Sequence, residues 1–331
     1  MTFASSSSTR DRALAALHGL AIGDALGMPT QLLSPGEIAE RFGAIDGFRA
    51  AEDDHPIAAG MRAGSITDDT EQALLLARLL VERDGTAPAQ EWAERLAAWE
   101  DGMRVRGSLD LLGPSTRAAI AAIRDGADPA LAGRAGTTNG AAMRIAPLGI
   151  ARRLHDLARF VDAVADTCRP THDTGVAIAG AAAVAAAVSA GLDGAGHVEA
   201  TEVAIAAAEL GEQRGHWVAG ASVAARVRWA VTLDAKGLSE LVGTSLASQE
   251  SVPAAFGRLA LADGDGWEAC LAAAAAGGDT DTIGAMAGAM AGATGSEWPA
   301  EAIRTVVRVN GRQLSDLDGL VDGLLALRAA T

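Results

Sequence analysis

An uncharged run of 18 residues, from Gly175 to Leu192, is the feature that most restricts how this chain of 331 residues folds. The run is long enough to cross a membrane, but it consists mainly of alanine, valine and glycine. Because alanine is only weakly apolar, we interpret the run as a helix buried in the core of a globular protein. We therefore expect no membrane partner.

Helical periodicity covers most of the remaining chain. The predicted helices comprise residues 13–26, 71–83, 90–100, 115–125, 141–157, 175–190, 199–210, 219–231, 238–244, 267–276, 283–293, 300–309 and 315–327. Period-two patterns of β-branched residues, which indicate strands, hardly occur, and no linker or fixed-period repeat divides the sequence. We predict an all-α fold in which residues 13–331 form one compact domain and residues 1–12 a disordered or frayed, serine-rich N-terminus.

Charge and composition exclude several classes of protein. The 27 basic and 42 acidic residues give a net charge of −15, which disfavours binding to the phosphate backbone of a nucleic acid. The two cysteines, Cys168 and Cys270, are too few for a disulfide framework, and we expect a cytoplasmic location. The single lysine, Lys236, is not part of a phosphate-binding G-K-[ST] motif.

Two short segments combine paired aspartates with threonines where a loop enters a predicted helix. They are residues 65–71 (SITDDTE) and 277–282 (GGDTDT). Helix capping would account for one acid in each segment, with Asp68 and Glu71 as a capping box, but not for two acids and flanking threonines in both. Adjacent carboxylates repel each other unless a cation neutralises them. The four aspartates carry four negative charges, which two divalent ions would balance.

The chemistry of the donor atoms narrows the choice of metal. Carboxylate and hydroxyl oxygens favour Mg²⁺ or Mn²⁺ over Zn²⁺. Asp279 and Asp281 must straddle the junction between loop and helix in order to converge, and Gly277 and Gly278 would allow the backbone to turn closely there. Two such ions could orient hydroxyl groups and generate a hydroxide nucleophile.

A class I terpene synthase is an all-α alternative, because residues 68–71 (DDTE) have the form of its acidic helix motif. Such an enzyme surrounds a carbocation with aromatic faces. Only 3% of the residues are aromatic and tyrosine is absent, which argues against this class.

Four sequence blocks match those of a known family, in the same order. They are residues 19–27 (GLAIGDALG), 67–70 (TDDT), 139–144 (NGAAMR) and 278–282 (GDTDT), and residues 171–173 (THD) form a fifth, shorter match. On these motifs the chain resembles the ADP-ribosylglycohydrolase family, which includes the dinitrogenase-reductase-activating and ARH-type hydrolases. The matches extend from about residue 13 to residue 293, and their combination is specific although each block is short.

This resemblance implies a compact orthogonal helical bundle with two Mg²⁺ or Mn²⁺ ions in a central cleft. Its metal ligands would be Thr67, Asp68, Asp69, Asp279, Asp281 and Thr282. Ribose hydroxyls of the substrate would bind the metals, and a water activated by them would attack C1″ and release the attached group. Asp69 or Asp279 would accept the proton in catalysis, and the choice between them stays open.

The same comparison marks candidate substrate-binding residues. These are Gln31, Asn139, Gly140, Arg144, His172 and Gly278. Asn139 and Gly140 could present backbone N–H groups to a phosphate or ribose, or form only a turn before a helix. Arg144 could pair with a phosphate or bridge two helices, and His172 could face the cleft or make a structural hydrogen bond. Asp24 could support the metal ligands or serve only helix packing.

Gln31 departs from the family pattern. Many members have a glutamate at this position, after the block that here reads GDALGMPT in residues 23–30. An amide cannot act as a carboxylate base or a charged ligand, so another acid does this work, the substrate differs, or the protein binds without turnover. The departure disfavours serine-linked ADP-ribose as the substrate, although Gln31 could still hydrogen-bond a ribose hydroxyl or a base.

Our leading hypothesis is a dinuclear Mg²⁺- or Mn²⁺-dependent hydrolase that cleaves an N-glycosidic bond to ribose in an ADP-ribosylated protein or small molecule. One alternative is a hydrolase of nucleosides or other small N-ribosides, motivated by Gln31 and by the scarcity of basic residues near the motifs. A second alternative is a non-catalytic protein that binds ADP-ribose or a nucleotide.

Overall fold

The computed structural model describes residues 7–108 and 112–331, and in these ranges its regular structure is helical apart from two isolated β-bridges. The helices are α1 (Thr9–Gly27), α2 (Pro35–Phe42), α3 (Asp68–Glu82), α4 (Ala89–Val105), α5 (Pro114–Arg124), α6 (Pro129–Ala132), α7 (Gly140–Met143), α8 (Ala146–Ala151), α9 (Leu157–His172), α10 (Gly175–Leu192), α11 (His197–Gly211), α12 (Val223–Ala230), α13 (Ala235–Gly237), α14 (Ser248–Leu261), α15 (Gly266–Ala274), α16 (Thr280–Thr294), α17 (Ala300–Asn310) and α18 (Leu317–Ala330). Two 3₁₀ turns cover Gly133–Ala135 and Gly311–Gln313, and a π-helical turn covers Leu238–Val242. The predicted all-α fold is confirmed.

The antiparallel pair α1 and α16 lies at the centre of the bundle. Its two backbones approach more closely than side chains would allow, because glycines line the contact. A Cβ at Gly23 would lie 2.0 Å from the carbonyl oxygen of Gly284, and a Cβ at Gly288 would lie 2.0 Å from that of Gly19. This packing places the C-terminal end of α1 beside the N-terminal end of α16, where the second acidic segment lies.

Helix α10 is the uncharged run of the sequence. All 18 of its residues are buried, and it packs against α8, α11 and α16. By length and composition alone the helix could cross a membrane, yet it lies inside the protein. This burial agrees with the core helix expected from the sequence.

The N-terminal boundary differs from the prediction. Helix α1 begins at Thr9, because Ser8 and Asp11 form a capping box in which each side chain bonds the backbone of the other. The frayed segment predicted for residues 1–12 is therefore wrong for residues 9–12. Residues 1–6 lie outside the described residues.

Prolines account for other differences. The single helix predicted for residues 141–157 is instead α7, α8 and the start of α9. Pro147 occupies the first turn of α8, where its missing N–H costs nothing, and residues 152–156 are not helical. The sequence pattern did not indicate α9 and α14. Pro170 lies in the last turn of α9, and Pro253 lies in the second turn of α14.

Candidate metal centre and active site

The first acidic segment forms the N-terminal end of α3. Thr67 is the N-cap, and its Oγ1 accepts a hydrogen bond of 3.4 Å from the backbone N–H of Asp69. Asp68 and Asp69 occupy the first turn, where the helix dipole favours negative charge. Glu71 accepts a hydrogen bond from Trp99 Nε1 at 2.6 Å rather than closing a capping box. Capping therefore does not account for the pair of aspartates.

The second acidic segment enters α16 through a sharp turn. Gly277 and Gly278 have φ values of +75° and +78°, which side chains rarely allow. The turn is tied to the loop after α1, because the N–H of Gly278 donates to the carbonyl of Leu33 at 3.0 Å. Asp279 occupies the N-cap position without a side-chain capping bond, and Asp281 lies in the first turn. The two aspartates straddle the junction, as predicted.

Asp24, near the end of α1, accepts hydrogen bonds from the first acidic segment. Its carboxylate accepts hydrogen bonds from the backbone N–H groups of Thr67 at 3.0 Å and Thr70 at 3.1 Å, and from both threonine hydroxyls. Asp24 is completely buried. Four donors on one buried carboxylate fix the first turn of α3 relative to α1, which favours a supporting role for Asp24 over simple helix packing.

Hydrogen bonds join the acidic segments to each other and to a third motif. Thr282 Oγ1, on α16, donates to Asp69 Oδ2, on α3, at 3.3 Å. Asn139, which precedes α7, donates from Nδ2 to Asp279 Oδ2 and to Ser251 Oγ, the latter at 2.9 Å. Three sequence blocks that lie far apart in the chain thus meet at one place.

Three carboxylates of the acidic cluster (Asp68, Asp69, Asp279 and Asp281) have raised pKa values: those of Asp69, Asp279 and Asp281. Burial, and then the charge of Asp68, raises the pKa of Asp69 well above its usual range. Burial, and then the charge of Asp69, does the same to the pKa of Asp281. Burial also raises the pKa of Asp279 to about 6. A cation among these groups would act in the opposite direction, because it favours the ionised form.

The donor atoms present fit a hard divalent cation. Asp69 Oδ1 and Asp281 Oδ1 are buried, and neither has a hydrogen-bond partner among the described residues. A metal ion would satisfy such oxygens, whose burial is otherwise costly. Within residues 7–108 and 112–331, no group of three or more His, Cys, Asp or Glu side chains is arranged to hold an ion by itself. Threonine oxygens, such as those of Thr67 and Thr282, or water would have to complete the coordination.

A cavity of about 190 Å³ opens beside the acidic cluster. The predicted site residues that line it are Gln31, Asp68, Asn139, Gly140, Asp279, Asp281 and Thr282. Much of the remaining wall is apolar, with contributions from Leu32, Ile57 and Leu246. Arg117 is the one cationic side chain in the lining, as far as the described residues go. An apolar wall with a few polar groups suits a small organic ligand.

Gln31 presents an unused hydrogen-bond donor at this cavity. The residue is 4% exposed, and its Nε2 has no partner in the described part of the chain. His55 holds its backbone: His55 Nδ1 accepts from the N–H of Ala58 at 2.9 Å, so the proton is on Nε2, which donates to the carbonyl of Gln31 at 2.9 Å. The amide is therefore available to an acceptor atom of a substrate.

Five predicted site residues do not line the cavity. They are Thr67, Asp69, Arg144, His172 and Gly278. Thr67 and Asp69 belong to the bonded network of the acidic cluster, and Gly278 shapes the turn before Asp279. Arg144 and His172 are 2% and 0% exposed and lie behind the cavity wall. Because burial keeps both from the cavity, the geometry favours the structural alternatives over direct substrate contact.

Gln72 and His55 are among the residues at this site that were missed from the sequence. Gln72 is completely buried on α3, and its Nε2 donates to Asp68 Oδ2 at 2.8 Å. Its signal was a polar side chain four residues after Asp68, on the same face of the helix. His55 lies in a loop without periodicity, and nothing in the sequence marks it.

Comparisons with known proteins define the class of this fold and site. A model of the ADP-ribosylglycohydrolase family matches residues 5–330. The uncharacterized protein YegU of Escherichia coli (strain K12) is 36% identical over 299 residues, which cover 86% of this chain and 87% of that protein. The ADP-ribosyl-[dinitrogen reductase] glycohydrolase of Rhodospirillum rubrum is 34% identical over 173 residues, which cover 50% of this chain and 53% of that enzyme. A solved structure named ADP-ribosylglycohydrolase-related protein complex superposes with a TM-score of 0.72 at 26% identity, covering 97% of this chain and 99% of its own.

The protein is a glycohydrolase. The chain belongs to the ADP-ribosylglycohydrolase family, as its motifs predicted, and enzymes of this family generally depend on metal ions. Family membership favours an enzyme over the non-catalytic binding protein considered from the sequence.

Proposed function

We propose that this enzyme is a dinuclear, Mg²⁺- or Mn²⁺-dependent hydrolase that cleaves an N-glycosidic bond to ribose and removes ADP-ribose from a modified protein or small molecule. The observation that carries the proposal is the hydrogen bond from Thr282 to Asp69, which joins two acidic segments beside one cavity. The ADP-ribosyl part of the proposal draws on the Rhodospirillum rubrum relative, whose name describes a glycohydrolase of ADP-ribosyl-[dinitrogen reductase].

The chain supplies only oxygen ligands for the two ions. These ligands are Thr67, Asp68, Asp69, Asp279, Asp281 and Thr282. When bound, Mg²⁺ or Mn²⁺ supplies positive charge and Lewis-acid activation for hydroxyl groups and water. The buried Oδ1 atoms of Asp69 and Asp281, which lack partners among the described residues, support this assignment.

Asp279 is better placed than Asp69 to accept a proton. Asp279 lines the cavity, whereas Asp69 does not, and Asn139 orients one of its carboxylate oxygens. In the reaction, the oxygen of a water molecule bonds to C1″ of the ribose, and the bond from C1″ to the leaving group breaks with its electron pair on the leaving group. Asp279 takes the proton of the water.

Gln31 contributes a donor rather than a base. Its free Nε2–H would hydrogen-bond a ribose hydroxyl or a carbonyl oxygen of the substrate. A site that presents an amide here lacks the carboxylate expected for serine-linked ADP-ribose, so we propose a nitrogen-linked substrate.

Hydrolysis of a nucleoside or another small N-riboside is the second candidate, and the size and charge of the cavity favour it. Its volume of about 190 Å³ lies below the ~300–1,000 Å³ common for sites that enclose a drug-sized ligand. Arg117 is the one cation that the described lining offers to a pyrophosphate. The cavity would enclose a ribosyl group and its leaving group, whereas the rest of an ADP-ribose molecule would lie outside the cavity.

One chromatographic experiment distinguishes the two candidates. The purified protein is incubated with Mg²⁺, with Mn²⁺ or with EDTA, and with ADP-ribosyl-arginine, serine-linked ADP-ribosyl peptide, O-acetyl-ADP-ribose and a set of nucleosides. Metal-dependent release of ADP-ribose from the arginine conjugate supports the proposal. Release of free ribose and a base supports the second candidate, and turnover that persists in EDTA contradicts the metal centre in both.

Matched variants connect the activity to the site. Asp279→Asn should abolish turnover, because it removes the proton acceptor and the negative charge of a ligand while keeping the shape of the side chain. Asp263→Asn is the control, since the Asp263 side chain is fully exposed to solvent and lies outside the cavity lining. Equal activity of the two variants would exclude a catalytic role for Asp279.

A further inference from the structure

Arg144 is a buried cation whose short hydrogen bonds, of 2.7 and 2.8 Å, lead to the cavity wall in two directions. A longer hydrogen bond, of 3.4 Å from Nη1, goes to Oγ1 of Thr116, which lines the cavity itself. Its side chain is 2% exposed, and its guanidinium carbon lies 5.6 Å from the centre of the Trp92 ring. Burial lowers the pKa of Arg144 only to about 10, so the group stays charged at neutral pH. A buried charge is costly unless its donors are satisfied, and a guanidinium can only donate hydrogen bonds. Each partner of Arg144 must therefore present an acceptor to it.

The first branch leads to the acidic cluster. Arg144 Nη1 donates to Gln72 Oε1 at 2.7 Å. Because this contact requires the oxygen of the amide, the nitrogen of Gln72 must point the other way, where Nε2 donates to Asp68 Oδ2 at 2.8 Å. Arg144 thus prevents a flip of the Gln72 amide and keeps a donor on Asp68.

The second branch leads to another residue of the cavity wall, Thr138. Arg144 Nη2 donates to Thr171 Oγ1 at 2.8 Å and lies 3.5 Å from His172 Nδ1. Thr171 Oγ1 is itself 2.8 Å from His172 Nδ1, so this nitrogen faces donors and acts as the acceptor. The proton of the neutral imidazole is then on Nε2, which lies 3.0 Å from Oγ1 of Thr138, a residue of the cavity lining.

We propose that Arg144 is a positioning residue and not a substrate ligand: it fixes the orientation of Gln72 against Asp68 and the tautomer of His172 against Thr138. Because Arg144 can only donate hydrogen bonds, it determines which atoms of Gln72 and His172 act as donors towards Asp68 and Thr138 of the cavity wall. The consequence for metal binding rests on the function proposed above, whereas the consequence for His172 does not.

Metal affinity tests the first branch. Mn²⁺ binding is measured by titration calorimetry on the whole protein and on Arg144→Met, Gln72→Met and the double variant, with thermal midpoints to verify folding. Residues that orient a metal ligand typically change metal affinity by about 10- to 100-fold when replaced, and we expect a loss of this size in each single variant. The double variant should bind no more weakly than Gln72→Met alone, because Arg144 acts through Gln72.

If Arg144 acted on the metal site only through its positive charge, the opposite change in Mn²⁺ affinity would be expected. Removal of a positive group near a cation site should tighten Mn²⁺ binding, so unchanged or tighter binding by folded Arg144→Met would overturn the proposal. Arg258→Met is the matched control, because Arg258 is also buried, bonds Ser239 at 3.2 Å and does not line the cavity. Its Mn²⁺ affinity should equal that of the unmodified protein.

The imidazole tautomer tests the second branch without any metal. The protein has six histidines, so each ring can be assigned by single substitution in long-range ¹H–¹⁵N spectra. We expect His172 to carry its proton on Nε2 in the unmodified protein, and to show the Nδ1-protonated form in Arg144→Met. A proton on Nδ1 in the unmodified protein would overturn the assignment. If the unmodified protein binds no Mn²⁺, the proposed metal centre is wrong, while this spectrum still decides the role of Arg144.

Discussion

Gly27 and Asp281 are in backbone contact: a Cβ on Gly27 would lie only 2.3 Å from the backbone nitrogen of Asp281. The absence of a side chain at residue 27 lets the N-terminal end of α16 lie against the C-terminal end of α1. Asp24, one turn earlier on α1, bonds the first turn of α3. The close packing of two helices thus brings both acidic segments to the same end of α1.

Gly27→Ala should weaken both folding and metal binding. The new methyl group meets backbone atoms, which cannot rotate away, and overpacking of this kind costs about 1–3 kcal/mol of unfolding free energy. We expect a lower thermal midpoint and weaker Mn²⁺ binding. Gly102→Ala is the control, because Gly102 is an exposed residue of α4 with nothing within 4 Å of the added Cβ. That change should stabilise the helix by about 0.5–1 kcal/mol; equal effects of the two substitutions would contradict this packing account.

Asp24→Asn should destabilise the protein although the side chain keeps its size. An asparagine NH₂ would face backbone N–H or hydroxyl donors of Thr67 and Thr70, which now donate to the carboxylate. Buried donors left without acceptors cost about 1–3 kcal/mol. Chemical denaturation measures the change, with Asp263→Asn as the exposed control. A variant as stable as the control would mean that the carboxylate does not organise the start of α3.

Gln31→Met should lower the activity of the enzyme without lowering its thermal stability. The buried Nε2 of Gln31 has no partner in the described part of the chain, so its replacement by an apolar side chain should leave the thermal midpoint unchanged or raise it. Loss of one hydrogen bond to the substrate should lower kcat/KM by about 10-fold or more. Mn²⁺ affinity should not change, because Gln31 is not a proposed ligand. Full activity in this variant would show that the amide does not contact the substrate.

The stabilisation by Mn²⁺ should grow with pH. Burial raises the pKa of Asp279 to about 6 and those of Asp69 and Asp281 well above their usual range, and a metal binds only the ionised forms. Without metal, these raised pKa values make the folded state bind more protons than the unfolded chain, so their contribution to stability falls as pH rises through this range. Burial lowers the pKa of His172, which acts in the opposite direction.

The difference between thermal midpoints with and without Mn²⁺ removes the histidine contribution. This difference should be small near about pH 5 and should increase towards about pH 8, where the carboxylates would otherwise repel one another. A difference that is constant over this range would mean that the bound ion does not replace protons on the acidic cluster.

The sequence predicted the local structure of this site better than its tertiary geometry. Paired aspartates beside threonines at two helix starts are a local pattern, and both predicted junctions occur in the structure. The hydrogen bond between Thr282 and Asp69 depends on tertiary packing, so it could be expected only from the family resemblance. The burial of Arg144 and His172 behind the cavity wall was not predictable. The sequence pattern of a polar residue near a motif does not distinguish a side chain that faces a cavity from one that faces another helix.

The boundaries of the helices show a similar limit. The uncharged, alanine-rich composition of residues 175–192 predicted a buried helix, since alanine is too weakly apolar to favour a membrane span. Helices α9 and α14 were not predicted, because they contain Pro170 and Pro253 and a proline indicates a break unless it lies near a helix end. The loop that carries His55 has no periodicity, so its contact with the Gln31 carbonyl could not be foreseen.

The most direct test of the metal centre is an anomalous difference map from a crystal of the protein soaked in Mn²⁺. We predict two manganese peaks at the acidic cluster, with at least one of them within bonding distance of carboxylate oxygens of Asp69 and Asp281. The same soak of Asp279→Asn should weaken or abolish at least one peak. A map without manganese at the acidic cluster, from protein that cleaves its substrate, would contradict the central claim.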